Sequence, residues 1–389
     1  MESSVTVQTA GAPRAKYAAR LLGAADLEQL IAALTRRGYR VVGPVLQDDA
    51  IVYDELASAS QLPAGVKDIQ APGKYRLEKR ADDAVFGFVV GPHAFKKYFL
   101  PPREPLFQLR KKGQSWEDLT PAADAAPLAL FGARSCELQA INIQDQVLKA
   151  GPHPDPGYTR RRSSAFVVAV TCIEPGASCF CTSMGGGPRP RGDFDLALTE
   201  LLPHAGSQHA FYVEIGSELG AQVLTECHTE PAALENDRAA QMVALTATAA
   251  IERRFNTQGV RDLLQDNLEH PRWDAVAERC LSCASCTLVC PTCFCTRVDD
   301  TTDLAGELAT RTRSWDSCFS IEFSHMHGGA ARTSVKARYR QWLTHKLSSW
   351  FDQFGSSGCV GCGRCITWCP AGIDITEEVA AIRATAQGE

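Results

Sequence analysis

Cys280-Leu-Ser-Cys283-Ala-Ser-Cys286-Thr-Leu-Val-Cys290-Pro291 and Cys359-Val-Gly-Cys362-Gly-Arg-Cys365-Ile-Thr-Trp-Cys369-Pro370 are two copies of one pattern, C-x2-C-x2-C-x3-C-P. Three thiolates at that spacing wrap one face of a cubane cluster on a tight loop. The fourth opens a helix that crosses to the other cluster. The pattern therefore predicts two [4Fe–4S] clusters with exchanged ligands. One set is Cys280, Cys283, Cys286 and Cys369; the other is Cys359, Cys362, Cys365 and Cys290. A pair of structural zinc sites is the competing reading, but zinc ribbons use separated C-x2-C pairs, not four-cysteine runs closed by Cys-Pro.

Cysteine placement along the chain supports metal binding. None of the sixteen cysteines precedes Cys136, and eleven follow residue 279. The first thirty residues carry Arg14, Lys16 and Arg20 without a signal-length apolar run behind them, and Arg36-Arg37 lies too deep for a twin-arginine signal. No stretch approaches the ~18 apolar residues of a membrane span. The expectation is a cytoplasmic chain, where thiols stay reduced and many cysteines mean metal before disulfides. A net charge of −5 argues against nucleic acid or an anionic membrane as the partner.

At 389 residues, two or three domains are expected. We read residues 1–229 as a mixed α/β N-terminal domain, 230–270 as a helical bridge, and 271–389 as a bacterial-ferredoxin-like two-cluster domain with a helical insert. Asp26 can cap a helix with the apolar face Leu27, Leu30, Ile31 and Leu34, ending near Gly38. Tyr39–Leu46 and Ile51–Leu56 read as strands, and Val85–Phe107 as a strand followed by ordered loop. From Pro127, short apolar runs (Leu128–Phe131, Ala165–Val170 and Phe211–Ile215) alternate with helix or loop, the signature of an α/β layer with some parallel strands. Helices are predicted at Ala232–Phe255 and Val260–Leu268, with another entering the first cysteine run. The insert of 68 residues between Cys290 and Cys359 carries a basic helical stretch with Lys336, Arg338, Arg340 and Lys346. Its charges read as a solvated face, with a docking surface for a partner as the alternative.

Four more cysteines fall in the N-terminal half. Cys136 and Cys172 follow predicted strands, whose ends converge on one edge in such folds, with Cys179 and Cys181 close behind. These four could hold a third [4Fe–4S] cluster or a zinc ion, or could be buried free thiols. Cys293, Cys295, Cys318 and Cys227 read as packing residues, because eight cysteines already satisfy two cubanes. His325 and His327 sit in a polar loop, and Gly185-Gly186-Gly187 lacks the strand–turn–helix setting of a dinucleotide loop.

Several stretches together resemble one family: Gly132–Leu138, Cys172–Pro188, Cys290–Cys295, Trp315–Cys318, Arg338–Trp342 ahead of His345-Lys346, and Cys359–Cys369. They are similar to the iron–sulfur β subunits of soluble NAD(P)-linked [NiFe]-hydrogenases of the sulfhydrogenase type, relatives of the electron-transfer subunit of anaerobic sulfite reductase. The likeness runs from about Gly91 onward. Ala284-Ser285 departs from the family's usual Gly-Asn. The resemblance implies an electron relay without bond chemistry of its own. It would run between a flavin NAD(P)H-oxidoreductase subunit and the small and large [NiFe]-hydrogenase subunits, or alternatively a sirohaem sulfite reductase subunit.

Overall fold

The computed structural model describes residues 17–121, 126–204 and 206–386. The apolar runs Leu128–Ala133 and Phe166–Val170 are buried at every position, and Leu196–Leu201 at all but its last. They form the middle of an eight-stranded sheet. Strand order is Thr229–Pro231, Arg20–Gly23, Ala210–Ile215, Leu196–Leu201, Phe166–Val170, Leu128–Ala133, Arg40–Gln47, Ala50–Glu55. Four adjacent strands, from Leu196–Leu201 to Arg40–Gln47, run parallel; the remaining pairings are antiparallel. Continuous apolar runs suit strands covered on both faces, which is how the mixed α/β layer was legible. Helix Leu27–Arg36 buries Leu27, Leu30, Ile31 and Leu34 as its spacing requires. Asp26 stands at its N-cap, but its side chain accepts from Gln29 Nε2 at 2.7 Å instead of from a backbone amide.

Three helices follow the sheet, Leu234–Ala249, Val260–Asp266 and Arg272–Arg279, the last running into Cys280. A second core gathers Trp273, Tyr339, Trp342, Leu347, Ile366 and Ile375 around the cysteine runs.

The insert departs in part from the helical expectation. Its first half is a β-hairpin, Thr296–Thr302 with Leu308–Trp315, and Leu308–Trp315 also pairs with Arg103–Lys112 from the N-terminal half. With Ser115–Asp118 they make a four-stranded antiparallel sheet. Only the second half is helical: Val335–Thr344, a π-helical turn His345–Ser349, then Trp350–Phe354. The solvated-face reading of its charges fits Lys336 and Arg340 only in part, since both are half-buried and pair with Asp274 at 2.9 Å and Glu269 at 2.8 Å. It fails for Arg338 and Lys346, which are buried because they share the inward row of Trp342 at four-residue spacing. Val85–Phe107 also differs. Residues 85–95 form no strand, and the strand begins only at Arg103. Among the described residues no helix is long and apolar enough to cross a membrane.

Candidate metal centre

Each cysteine run folds around a cavity and lends its last member to the other. Cys280, Cys283, Cys286 and Cys369 line the first cavity with Phe319, Tyr339 and Trp342; Cys365 also reaches its wall. Cys290, Cys359, Cys362 and Cys365 line the second with Phe180, Thr292 and Lys346. The short helices Ser285–Leu288 and Arg364–Thr367 pack together between the cavities and carry the chain across. The thiols surround space instead of meeting at a point. Among the described residues no three His, Cys, Asp or Glu side chains converge for a single metal ion, so the donor set fits a multi-iron cluster better than tetrahedral zinc. Burial pushes the Cys286 and Cys365 thiols well above the ordinary cysteine value. Such groups become thiolates only when a metal centre repays the lost solvation.

The two loops differ in their cover. Ser282 and Ala284 in the first, and Gly361 and Gly363 in the second, occupy equivalent left-handed positions, with φ of +50°, +66°, +66° and +74°. At Gly361 an added Cβ would lie 2.7 Å from Cys181 Cα, and at Gly363 it would be closer still to the Ser178 carbonyl. The Ser178–Cys181 segment lies directly on the second loop, where Phe180 N–H donates to Gly361 O at 2.8 Å. Over the first loop Leu281 and Cys283 are exposed, so side chains fit there.

The N-terminal cysteines come to the same place. Cys136 and Cys172 lie just past the carboxyl ends of the adjacent parallel strands Leu128–Ala133 and Phe166–Val170. Cys179 Sγ is 3.7 Å from Cys362 O. Burial raises the Cys136 and Cys179 thiols well above their usual value and Cys181 to about 12, with Cys172 and Cys362 adding to each. Arg134 is buried among them. Its Nη2 donates to Phe86 O at 3.0 Å and Phe88 O at 2.7 Å, while Nε and Nη1 have no hydrogen-bond partner. The Cys172 and Cys136 sulfurs stand near it and would supply countercharge as thiolates. Arg364, inside the second run, ion-pairs with the buried Glu137 at 2.5 Å and so ties the α/β layer to the cluster loop.

Residue-type reasoning did not anticipate the buried cations around the cysteine runs, among them Arg134, Lys96, Arg338, Lys346 and Arg364. Burial works against the Lys346 charge, yet the Cys290, Cys293, Cys359 and Cys365 sulfurs hold its pKa well above the lysine norm. Cys293 hydrogen-bonds Cys290, and Cys318 hydrogen-bonds Cys295 and lowers it to about 7. Cys227 lies apart in the sheet core, where its Sγ donates to Val223 O at 3.8 Å. His325 is exposed beside Glu322, and Gly185 ends a short 3-10 turn. For Lys346 the one available signal was its place in the Arg338, Trp342, Lys346 row. Lys96 had none.

Paired cavities, each lined by three cysteines of one run and the last of the other, mark a ferredoxin-type iron–sulfur protein. Residues 279–373 match the family described as the 4Fe-4S dicluster domain. Over 282 residues the chain is 34% identical to sulfhydrogenase 2 subunit beta of Pyrococcus furiosus, covering 72% of this chain and 79% of that protein. The chain belongs to the sulfhydrogenase β-subunit family of iron–sulfur electron-transport proteins. No solved structure matches it.

Proposed function

We propose that the chain is the cytoplasmic electron relay of a [NiFe]-hydrogenase, passing single electrons between a flavin NAD(P)H-oxidoreductase subunit and the small and large hydrogenase subunits. The observation that carries this reading is the pair of cavities, each lined by three cysteines of one run and the last of the other. Cys280, Cys283, Cys286 and Cys369 are the ligands of one [4Fe–4S] cluster, and Cys359, Cys362, Cys365 and Cys290 of the second. Bound clusters supply one-electron oxidation and reduction; the protein sets ligand geometry, hydrogen bonding and exclusion of water. Mostly apolar side chains line the first cavity, and Leu281 and Cys283 on its loop are exposed, which suits electron exchange with a partner. Gly361 N–H donates to Cys359 Sγ at 3.4 Å and steadies the thiolate in the second.

Cys136, Cys172, Cys179 and Cys181 are the ligands of a third [4Fe–4S] cluster. Arg134 supports this: a buried guanidinium with two unpaired nitrogens calls for anionic sulfur beside it. Identity to a sulfhydrogenase β chain favours the hydrogenase over the sulfite reductase as the complex served. Anaerobic purification of the native complex tests the proposal. Copurifying [NiFe] and flavin subunits with about twelve irons on this chain are expected. A sirohaem partner, or about four irons or fewer, would overturn it.

A further inference from the structure

Lys346 is buried on the π-helical turn and donates three hydrogen bonds: to Thr292 Oγ1 at 3.0 Å, Gly358 O at 3.1 Å and Cys290 Sγ at 3.3 Å. None of these acceptors is a carboxylate, and no carboxylate ion pair forms with it among the described residues. Lys96 reaches the same region from the N-terminal half. It is equally buried, donates to Leu288 O at 3.3 Å and stands 4.0 Å from the centroid of the Trp315 ring. It too lacks a carboxylate partner among the described residues. A buried ammonium is strongly unfavourable without an anion beside it, so the fold must place negative charge here. The cysteine cavity at Cys290 is where that charge resides once loaded.

No cation lines the first cavity or donates to one of its sulfurs among the described residues, although the buried Arg338 bears on the Cys280 thiol from outside it. Cysteines and apolar or aromatic side chains line it, with Ser285 the one hydroxyl besides Tyr339. Arg338 comes closest, but its Nη1 is held by the Arg332 and Thr333 carbonyls, and Nη2 reaches only Ser282 Oγ at 3.3 Å.

We propose that Lys346, supported by Lys96, is a fixed positive pole. It raises the reduction potential of the cluster held by Cys290, Cys359, Cys362 and Cys365 above that of the neighbouring one. This rests on the ligand sets proposed above. Reduction adds one electron and no proton, so the centre gains one negative charge. A buried cation in a low-dielectric site stabilises the more negative state. An electron shared by the two centres therefore settles at the second cysteine run, and oxidation of the first accompanies reduction of the second. Lys346 acts through the ligand sulfurs and makes no bond to iron.

Lys346→Gln removes the charge and keeps a donor; Lys346→Arg restores the charge. The test is an EPR-monitored redox titration of the full chain in its purified complex, with the signal assigned by its loss in Cys359→Ser. In Lys346→Gln, with iron content unchanged, that cluster is expected to show a tenfold higher oxidised-to-reduced ratio at fixed poise. For a one-electron couple this is a negative shift of about 59 mV. The Cys280-side cluster should move by less than half as much, and Lys346→Arg should return most of the shift. Lys96→Met, which touches no proposed ligand, should shift the same signal in the same direction by less. It carries the test should Lys346→Gln lose iron. Intact iron with an unmoved or raised potential, or equal shifts at both clusters, would overturn the pole. A wild-type chain without iron would instead overturn the ligand sets.

Discussion

Gly363→Ala perturbs the contact that brings the two halves of the protein together. The backbone there has a φ of +74°, and an added Cβ meets the Ser178 carbonyl. A left-handed alanine costs about 1–2 kcal/mol. Ala284 already tolerates that geometry at the equivalent place in the first loop, with φ +66°. The distinctive cost at Gly363 is displacement of the Ser178–Cys181 segment, a steric insertion of about 1–3 kcal/mol. Together these imply roughly 2–5 kcal/mol, or roughly 2–6 °C in apparent melting temperature for a chain of this size. Anaerobic melts of loaded protein read the loss, and hydrogen exchange at the Phe180 amide, which donates to Gly361 O, reads its location, since it should exchange faster. Ala284→Gly is the matched control and is expected to be neutral or to gain up to about 1 kcal/mol. A Gly363→Ala protein that melts with the wild type and protects that amide equally would refute the packing of that segment on the cluster loop.

Other consequences follow from the same contacts. Arg364→Met and Glu137→Gln each strand a buried charge or dipole and should cost about 3–5 kcal/mol, the double variant less than their sum; additive melting shifts would contradict the pairing. Burial raises the Asp68 carboxyl to about 6 against bonds from Val89 N–H and Gln70. The folded chain therefore binds the extra proton, so stability falls as pH rises from about 4 to about 6, with about 3 kcal/mol lost above that. Asp68→Asn keeps an acceptor for Val89 and should raise the melting temperature at pH 8, the gain shrinking as pH is lowered from about 6 toward 4; an equal gain at pH 8 and pH 4 would refute it. The double variant Cys172→Ser, Cys179→Ser should lower iron from about twelve to about eight per chain, and an unchanged count would remove the N-terminal site.

The cysteine runs were legible because their chemistry depends on spacing alone, and the central strands because both faces are apolar. The sheet joining Arg103–Lys112 to the insert was not, for a physical reason. Thr296–Thr302 is exposed at every position after its first, and Arg103–Lys112 is polar along most of its length, so neither strand shows an alternating apolar face. The difference between the two cluster loops was visible as Gly361 and Gly363 against Ser282 and Ala284. Its cause was not, since it lies in a segment some 180 residues away in sequence that covers one loop and leaves the other open. Lys346 was misjudged because a basic helix usually faces water. Only the packing of Trp342 and Leu347 into the second core turns that row inward.

The exchange of ligands between the two runs is tested most directly by iron analysis and EPR on three single variants, Cys280→Ser, Cys369→Ser and Cys359→Ser. Cys369→Ser is expected to abolish the same cluster signal as Cys280→Ser, with about four irons lost in each, while Cys359→Ser abolishes the other. If Cys369→Ser instead removes the signal that Cys359→Ser removes, each run binds its own cluster and the crossed assignment is wrong.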